Sequence, residues 1–380
     1  MSKWRPHIYR AGAKKAAVEP SIIDAAVDIG KIVISKHSNV PPVFSLGHLA
    51  HLSGAPYPYL RGIVERQYDP YNIFTIRKRN PKAGFRTICV PSPPLMQLQR
   101  WVVDRVLNYG SPHSASTAFA PESKVLDAAE PHAGCRWLVK VDIQNFFESV
   151  SEIAAYRVFH DQFGFQKLVS FEMARLCTRQ GSSSAFRSRS RWMAGWRRYT
   201  DIPSYGKANI GHLPQGAPTS PMLANLSVRA MDDRLQTIAE SESLTYTRYA
   251  DDLFFSTTAR KYTRKEAGVL ITKIYVVLRA HGFSPNTSKT SVSPPGARKL
   301  VVGLAVDGER PRLRREFKQA LRMHLHHCRR DVAAHAERRK FSAIAGLQNH
   351  LRGLLSYAKQ IEPDYGARMM EEFNEIEWPI

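Results

Sequence analysis

Three carboxylates stand where carboxylates are least comfortable. Asp251 and Asp252 lie side by side in "RYADDLFFS", between Thr245, Tyr246 and Thr247 on one side and Leu253, Phe254 and Phe255 on the other. β-branched and aromatic residues on both flanks place the pair at a tight strand–turn–strand junction. Asp142 is embedded in "CRWLVKVDIQNFFESVS", inside the apolar run Trp137, Leu138, Val139, Val141 and Ile143. Partly buried like charges repel, and they persist only where a cation neutralises them or one carboxyl keeps its proton. A hard divalent ion that takes one or two protein carboxylates and completes its shell with phosphate oxygens resolves the conflict. A solvated Asp-Asp turn, with Asp142 bonded to a nearby backbone turn, is the alternative at this level.

The elements around these acids must bring them together across more than a hundred residues. Residues 1–70 read as a helical segment interrupted by Pro and Gly clusters. "YNIFTIRKRNPKAGFRTICVPSP" reads as a β-hairpin with Arg77, Lys78, Arg79, Lys82 and Arg86 at or near its tip. "LMQLQRWVVDRVLNY" is an amphipathic helix with Leu95, Leu98, Trp101, Val102, Val106 and Leu107 on its apolar side. "LPQGAPTSPMLANLSVRAMDDRL" is a Pro/Gly turn running into a helix capped near Thr219 or Ser220, a geometry that brings backbone N–H groups to an anion. "AGVLITKIYVVLRAHGF" is a further amphipathic helix, "SPNTSKTSVSPP" a polar turn carrying Lys289, and "RKLVVGLAVDG" a short hydrophobic hairpin.

Charge points to the partner. The 380 residues hold 55 Lys and Arg against 33 Asp and Glu, a net +22, which suits a polyanion such as nucleic acid better than an anionic membrane. Residues 178–212 interleave Arg187, Arg189, Arg191, Arg197 and Arg198 with Phe186, Trp192, Trp196 and Tyr199: arginine for phosphates, aromatics for bases, or else a solvated basic insertion. Between Glu309 and Lys340 eleven Lys and Arg face four acids in a helical pattern, Arg314, Arg315, Arg322, Arg329 and Arg330 among them. "MHLHHCRR" within it reads as a basic helix face rather than a metal cluster. Cys89, Cys135, Cys177 and Cys328 have neither zinc nor disulfide spacing. With no apolar run of membrane length and no secretory h-region at the N-terminus, a cytoplasmic protein without membrane contact is expected.

The order of these signals resembles that of a reverse transcriptase of the bacterial retron and group II intron type. "VDIQNFFESV", "LPQGAPTSP", "YADD" and "GFSPNTSKT" are similar to its successive palm motifs, "VVGLAVDG" to its primer-grip hairpin, "FTIRKRNPKAGFRTICVPSP" to its fingers strands, and "LRGLLSYAKQIEP" to its thumb. The similarity runs over roughly residues 71 to 365. It departs at "AAEPH", which keeps only Ala129 and His132 of an Asn-Ala-x-x-His element, and at Val301-Val302-Gly303, where retron enzymes carry Val-Thr-Gly.

The resemblance implies an α+β right-hand fold: an N-terminal helical segment (1–70), fingers and palm with an antiparallel sheet (71–305, with the basic insertion at 178–212), and a basic helical thumb (306–380). It implies two Mg²⁺ ions, with Mn²⁺ as substitute, at Asp142, Ile143, Asp251 and Asp252. Lys289 would protonate the pyrophosphate, and Arg86 with Lys78 or Arg79 would hold the triphosphate. Gln215 and Gly216 would shape the nucleotide pocket. Phe147 would lie under the sugar as a gate against ribonucleotides, with Phe146 inward, and Val302, Gly303 and Leu304 would grip the primer. The partners would be dNTPs, a structured non-coding RNA and its DNA product, with room for an effector or toxin protein. The activity would be RNA-templated DNA synthesis, in a retron acting against phage. A related defence enzyme working without a template or from a protein primer, and a non-catalytic RNA-binding scaffold, are the competing readings.

Overall fold

The computed structural model describes residues 4–78, 84–180 and 210–379. Arg79, Lys82, Arg187, Arg189, Arg191, Arg197 and Arg198, for which the sequence suggested roles, lie outside them. Four helices open the chain, α1 (Pro6–Lys15), α2 (Pro20–Lys36), α3 (Leu46–Ser53) and α4 (Tyr57–Val64). The hairpin of β1 (Tyr71–Arg77) and β2 (Phe85–Pro91) and helix α5 (Pro93–Arg105) follow. A short helix α6 (Val125–Ala129) leads to β3 (Trp137–Gln144), α7 (Phe146–Ser149), α8 (Glu152–Arg157) and α9 (Lys167–Cys177). Next come α10 (Ser220–Ser227), α11 (Arg229–Ser241), the hairpin β4 (Thr245–Tyr249) and β5 (Asp252–Thr257), and α12 (Arg264–Ala280). Short strands β6 (Ser284–Pro285), β7 (Ser291–Ser293), β8 (Leu300–Val301) and β9 (Leu304–Ala305) precede the closing helices α13 (Arg315–Arg330), α14 (Val332–Arg338), α15 (Ile344–Ile361) and α16 (Pro363–Asn374).

The central sheet has the order β4-β5-β3-β6, with β7 also paired to β3. Period-two alternation divides β3. Val139, Val141 and Ile143 enter one core with Leu253 and Phe255, against α3 to α5 and α8 to α12. The opposite face carries Leu138, Lys140 and Asp142, of which Leu138 joins Phe254 in a second core with Val301, Leu304 and the apolar sides of α13 and α15. One sheet therefore serves two cores, and its acids emerge where the second core ends. The opening helices are not a separate layer, because Val33, Leu49, Leu60 and Ile63 belong to the first core.

One expected cap is absent. Thr219 precedes α10 in a helical conformation, and its hydroxyl makes no cap bond. Ser220 instead donates to the Pro214 carbonyl at 2.7 Å, fastening the Pro/Gly turn rather than the helix end. The histidines of "MHLHHCRR" also differ from a plain solvent face: His324 bonds His335 of α14 at 2.9 Å and His327 stacks on it, so both turn into a helix junction. No cluster of three His, Cys, Asp or Glu placed to hold a metal occurs there or elsewhere among the described residues. All four cysteines are free and buried.

Candidate active site

Register brings the acids together. In the antiparallel pairing of β3 with β5, Asp142 lies opposite Asp252. Tyr249 pairs with Asp252 across a two-residue turn, so Ala250 and Asp251 form its tip. Ala250 sits at φ 55°, a conformation costly for a residue with a Cβ and retained where surroundings over-determine it. The Asp251 carbonyl accepts from the Ile143 N–H at 2.8 Å, locking the turn onto the end of β3.

Each outer acid has its own cation. Lys140, one pleat from Asp142, donates to Asp252 Oδ2 at 2.8 Å. Lys289 donates to Asp142 Oδ2 at 2.7 Å from the β6–β7 turn. That turn is pinned by the Asn286 N–H, which donates to the Asp142 carbonyl at 2.7 Å. Asp251 is the carboxylate under strain: burial raises its pKa, the charges of Asp252 and Asp142 raise it further, and Lys289 only partly offsets them. Glu148 adds a fourth carboxyl nearby, also raised by burial, pulled down by Lys78 and pushed up by Asp251.

The donor set suits a hard divalent cation. The three aspartates do not close a three-ligand cage, and Asp142 and Asp252 are each turned onto a lysine. An ion that uses one or two protein carboxylates and fills its shell with phosphate oxygens needs no such cage. Ile143 has a buried aliphatic side chain, so only its carbonyl can contribute.

Around the acids opens a cleft of about 930 Å³. Lys78, Arg86, Phe147, Gln215, Val302 and Gly303 all line it. The Gln215 carbonyl accepts from the Cys89 N–H at 2.8 Å, docking the Pro/Gly turn on the strand that bears Arg86. Gly216 has to be glycine there: at φ 114°, a Cβ would come within 3.0 Å of Ile88 and 3.1 Å of the Cys89 carbonyl. Leu304 points the other way, into the second core at 1% exposure, so in the β8–β9 hairpin only Val302 and Gly303 of the three face the cleft. Arg314, Arg315, Arg322, Arg329 and Arg330 do not line this cleft; they sit on or beside α13, and Arg329 is engaged by Glu375 at 2.6 Å and Glu372 at 3.6 Å. Phe146 is buried and Phe147 half-buried, because the chain leaves β3 through Asn145 at φ 50° and enters α7.

Several residues that brace the acids or their hairpin were given no role from the sequence. Lys140 carried a usable signal, since a residue two before Asp142 shares its face. Arg248 did not: it is wholly buried, donating to both Asp232 oxygens, to Asn225 Oδ1 at 2.9 Å and to the Ala250 carbonyl at 3.2 Å. His132 braces the same hairpin, bonding Ser256 at 2.7 Å and Thr247 at 2.8 Å. The Thr247 hydroxyl spends its proton on the Ala128 carbonyl, so His132 Nε2 must donate and Nδ1 accept. Burial lowers this imidazole to about 4, which keeps it neutral.

Residues 76–304 match the family model described as "Reverse transcriptase (RNA-dependent DNA polymerase)". The chain is 30% identical over 334 residues to the Retron Ec86 reverse transcriptase of Escherichia coli, covering 87% of this chain and 93% of that one. It is 30% identical over 319 residues to the Retron Mx162 reverse transcriptase of Myxococcus xanthus, covering 81% and 61% respectively. To the Retron Mx65 reverse transcriptase of the same organism it is 30% identical over 313 residues, covering 79% and 63%. The chain thus spans about three fifths of each Myxococcus protein.

Proposed function

Since the chain belongs to the retron-type reverse transcriptases, RNA-directed DNA polymerases of right-hand fold, we propose that it copies one cognate structured RNA with two Mg²⁺ ions, for which Mn²⁺ substitutes. The observation that carries this reading is the register: Asp142 opposite Asp252 with Asp251 in the turn between, on the floor of a cleft walled by Lys78 and Arg86.

Enzymes of this family work with divalent metal ions. Bound there, such ions would supply Lewis acidity for the primer 3′-hydroxyl and the triphosphate. Asp142 and Asp251, with the Ile143 carbonyl, would hold them, while Asp252 stays with Lys140. Lys289, released from Asp142, turns its ammonium to the pyrophosphate and gives up a proton there. Arg86 and Lys78 orient the triphosphate as charge-assisted donors. Gln215 and Gly216 hold the strand of Arg86 against the nucleotide, and Phe147 lies under its sugar, refusing a 2′-hydroxyl by clash. Val302 and Gly303 offer a turn at φ 48° and 84° to the primer end, with Leu304 as its anchor in the core. We assign fingers and palm to residues 71–305 and the thumb to 306–380, with the helices of 1–70 packed on the fingers side.

No helix among the described residues is long and apolar enough to cross a membrane. A cytoplasmic site, where RNA and dNTPs meet, and a part in anti-phage defence with an effector protein go with the retron kinship. The test is to sequence the nucleic acid that co-purifies with the protein. One short RNA joined to its DNA copy, absent from an Asp142→Asn preparation, supports the reading. A heterogeneous RNA pool without DNA sinks it.

A further inference from the structure

Phe119 is a large apolar residue left 43% exposed, and it is held at φ 63°. Either feature alone is unremarkable in a loop. Together, in the wall of the catalytic cleft, they need a cause, because an aromatic residue in the left-handed region is strained and keeps that conformation only where neighbours impose it.

The neighbours that impose it lie along β4. Residues 115–118 run along the outer edge of β4: the Arg248 N–H donates to the Ala115 carbonyl at 2.7 Å, and the Thr117 N–H donates to the Arg248 carbonyl at 2.9 Å. The Thr117 hydroxyl donates to the same carbonyl at 3.1 Å. Asn225 Nδ2 donates to the Ala118 carbonyl at 2.6 Å, while its Oδ1 accepts from Arg248. Arg248 is in turn fixed by Asp232, with all three side chains at 0% exposure. A buried ion pair, through one asparagine, therefore fastens the peptide immediately before Phe119 and the catalytic turn together.

That fastening delivers the Phe119 ring to two others. Its centroid is 6.3 Å from Phe147 and 6.3 Å from Tyr249, tilted 46° and 44°. Phe147 rides on α7, a helix of four residues, and its other aromatic neighbour is Phe146 at 5.6 Å. Without Phe119, the Phe147 ring has open cleft on that side and can swing away from its position.

We infer that Phe119 is a specificity-determining residue, a positioning residue that backs the Phe147 ring so that it stays against the sugar of the incoming nucleotide. The inference rests on the gate role proposed for Phe147. Phe119 excludes nothing by itself; it sets how far the gate yields to a 2′-hydroxyl.

The test is single-nucleotide extension on an RNA template–primer, comparing kcat/KM for dNTP and rNTP in the parent, Phe119→Ala, Phe147→Ala and the double variant. Loss of an aromatic pair of this geometry should lower the dNTP preference of Phe119→Ala about 3- to 10-fold. Phe147→Ala should lower it further, and the double variant should be no less selective than Phe147→Ala, since the two rings act as one unit. Phe119→Tyr should restore parental selectivity. Phe119→Gly, which removes the ring and relieves the backbone at once, guards against a folding artefact and should match Phe119→Ala. Selectivity unchanged in Phe119→Ala and Phe119→Gly while Phe147→Ala loses it overturns this inference and leaves the gate intact. Equal KM increases for both nucleotides also overturn it, marking Phe119 as a base platform. Parental selectivity in Phe147→Ala removes the gate itself.

Discussion

The floor of the cleft and the C-terminal helices both carry dense charge, and they hold it on different terms. In the sheet, charges are few and most have one fixed partner, Lys140 with Asp252, Lys289 with Asp142 and Arg248 with Asp232, while Asp251 is set against two neighbouring carboxylates. On α13 the charges are many, exposed and spaced seven apart, as Arg315, Arg322 and Arg329 run down one face. Register and burial fix each paired charge of the first arrangement to one partner. Exposure and repetition make the second suited to a run of phosphates, where no single residue decides. In the first region removing a charge strands its partner, and in the second it does not.

The sharpest break is at the acids. Asp142→Asn should abolish DNA synthesis, a loss on the order of 10³-fold or more for removal of a charge at the reacting centre, while RNA binding measured by filter retention stays within about twofold. Retained synthesis would put the chemistry elsewhere.

Next in size is the buried pair. Arg248→Met strands Asp232 at 0% exposure and should cost about 3–5 kcal/mol in denaturant unfolding. Arg329→Ala, which breaks exposed pairs with Glu372 and Glu375, should cost no more than about 1 kcal/mol. Similar costs would erase the distinction between the regions.

A pH titration probes the helix junction of the C-terminal region. Burial first, then His335, Arg339, His350 and His327, lower His324 from 6.5 to about 4. His335 is lowered by burial, then by His327, Arg339 and Arg338. Both therefore bind protons more readily when unfolded, so stability is full above about 6.5 and falls as pH drops from there towards 4. Melting temperature should decline across that window, and His335→Gln should flatten the decline. An unaltered slope in His335→Gln would remove the junction as its source.

The smallest effect is graded. Arg315→Ala and Arg322→Ala should each reduce the salt slope of RNA binding by roughly one ion. Arg329→Ala should reduce it less, because two glutamates already engage it. Equal slopes for all three would mean that those ion pairs give way to RNA.

Much of the sheet was legible because its signals are local. Asp142 announces itself as an acid in an apolar strand, the turn of Asp251 and Asp252 by the strand formers on both sides, and the β1–β2 hairpin by its basic turn. What stayed hidden depends on cross-strand register or on separation in the chain. Lys289 meets Asp142 across 147 residues. Arg248, counted by type, belongs on a surface, yet Asp232 and Asn225 from α10 and α11 give it a buried place. Phe119 lay in a loop with no periodicity to mark it. The inward histidines of α13 read as surface because their partner, His335, comes from the next helix.

Asp251 carries the central claim most directly, since burial and two neighbouring carboxylates push its pKa up. Its carboxyl binds a proton more readily folded than unfolded, so its contribution is greatest at low pH and is lost as pH rises through the raised value. Once ionised, the side chain opposes folding until a cation arrives. The decisive measurement is the melting temperature of parent and Asp251→Asn at pH 7.5, in chelator and then in excess Mg²⁺, alongside primer extension. The account predicts that Asp251→Asn melts higher than the parent in chelator, gains less from Mg²⁺, and synthesises no DNA. A variant that melts lower in chelator, responds to Mg²⁺ as the parent does and extends the primer would contradict it.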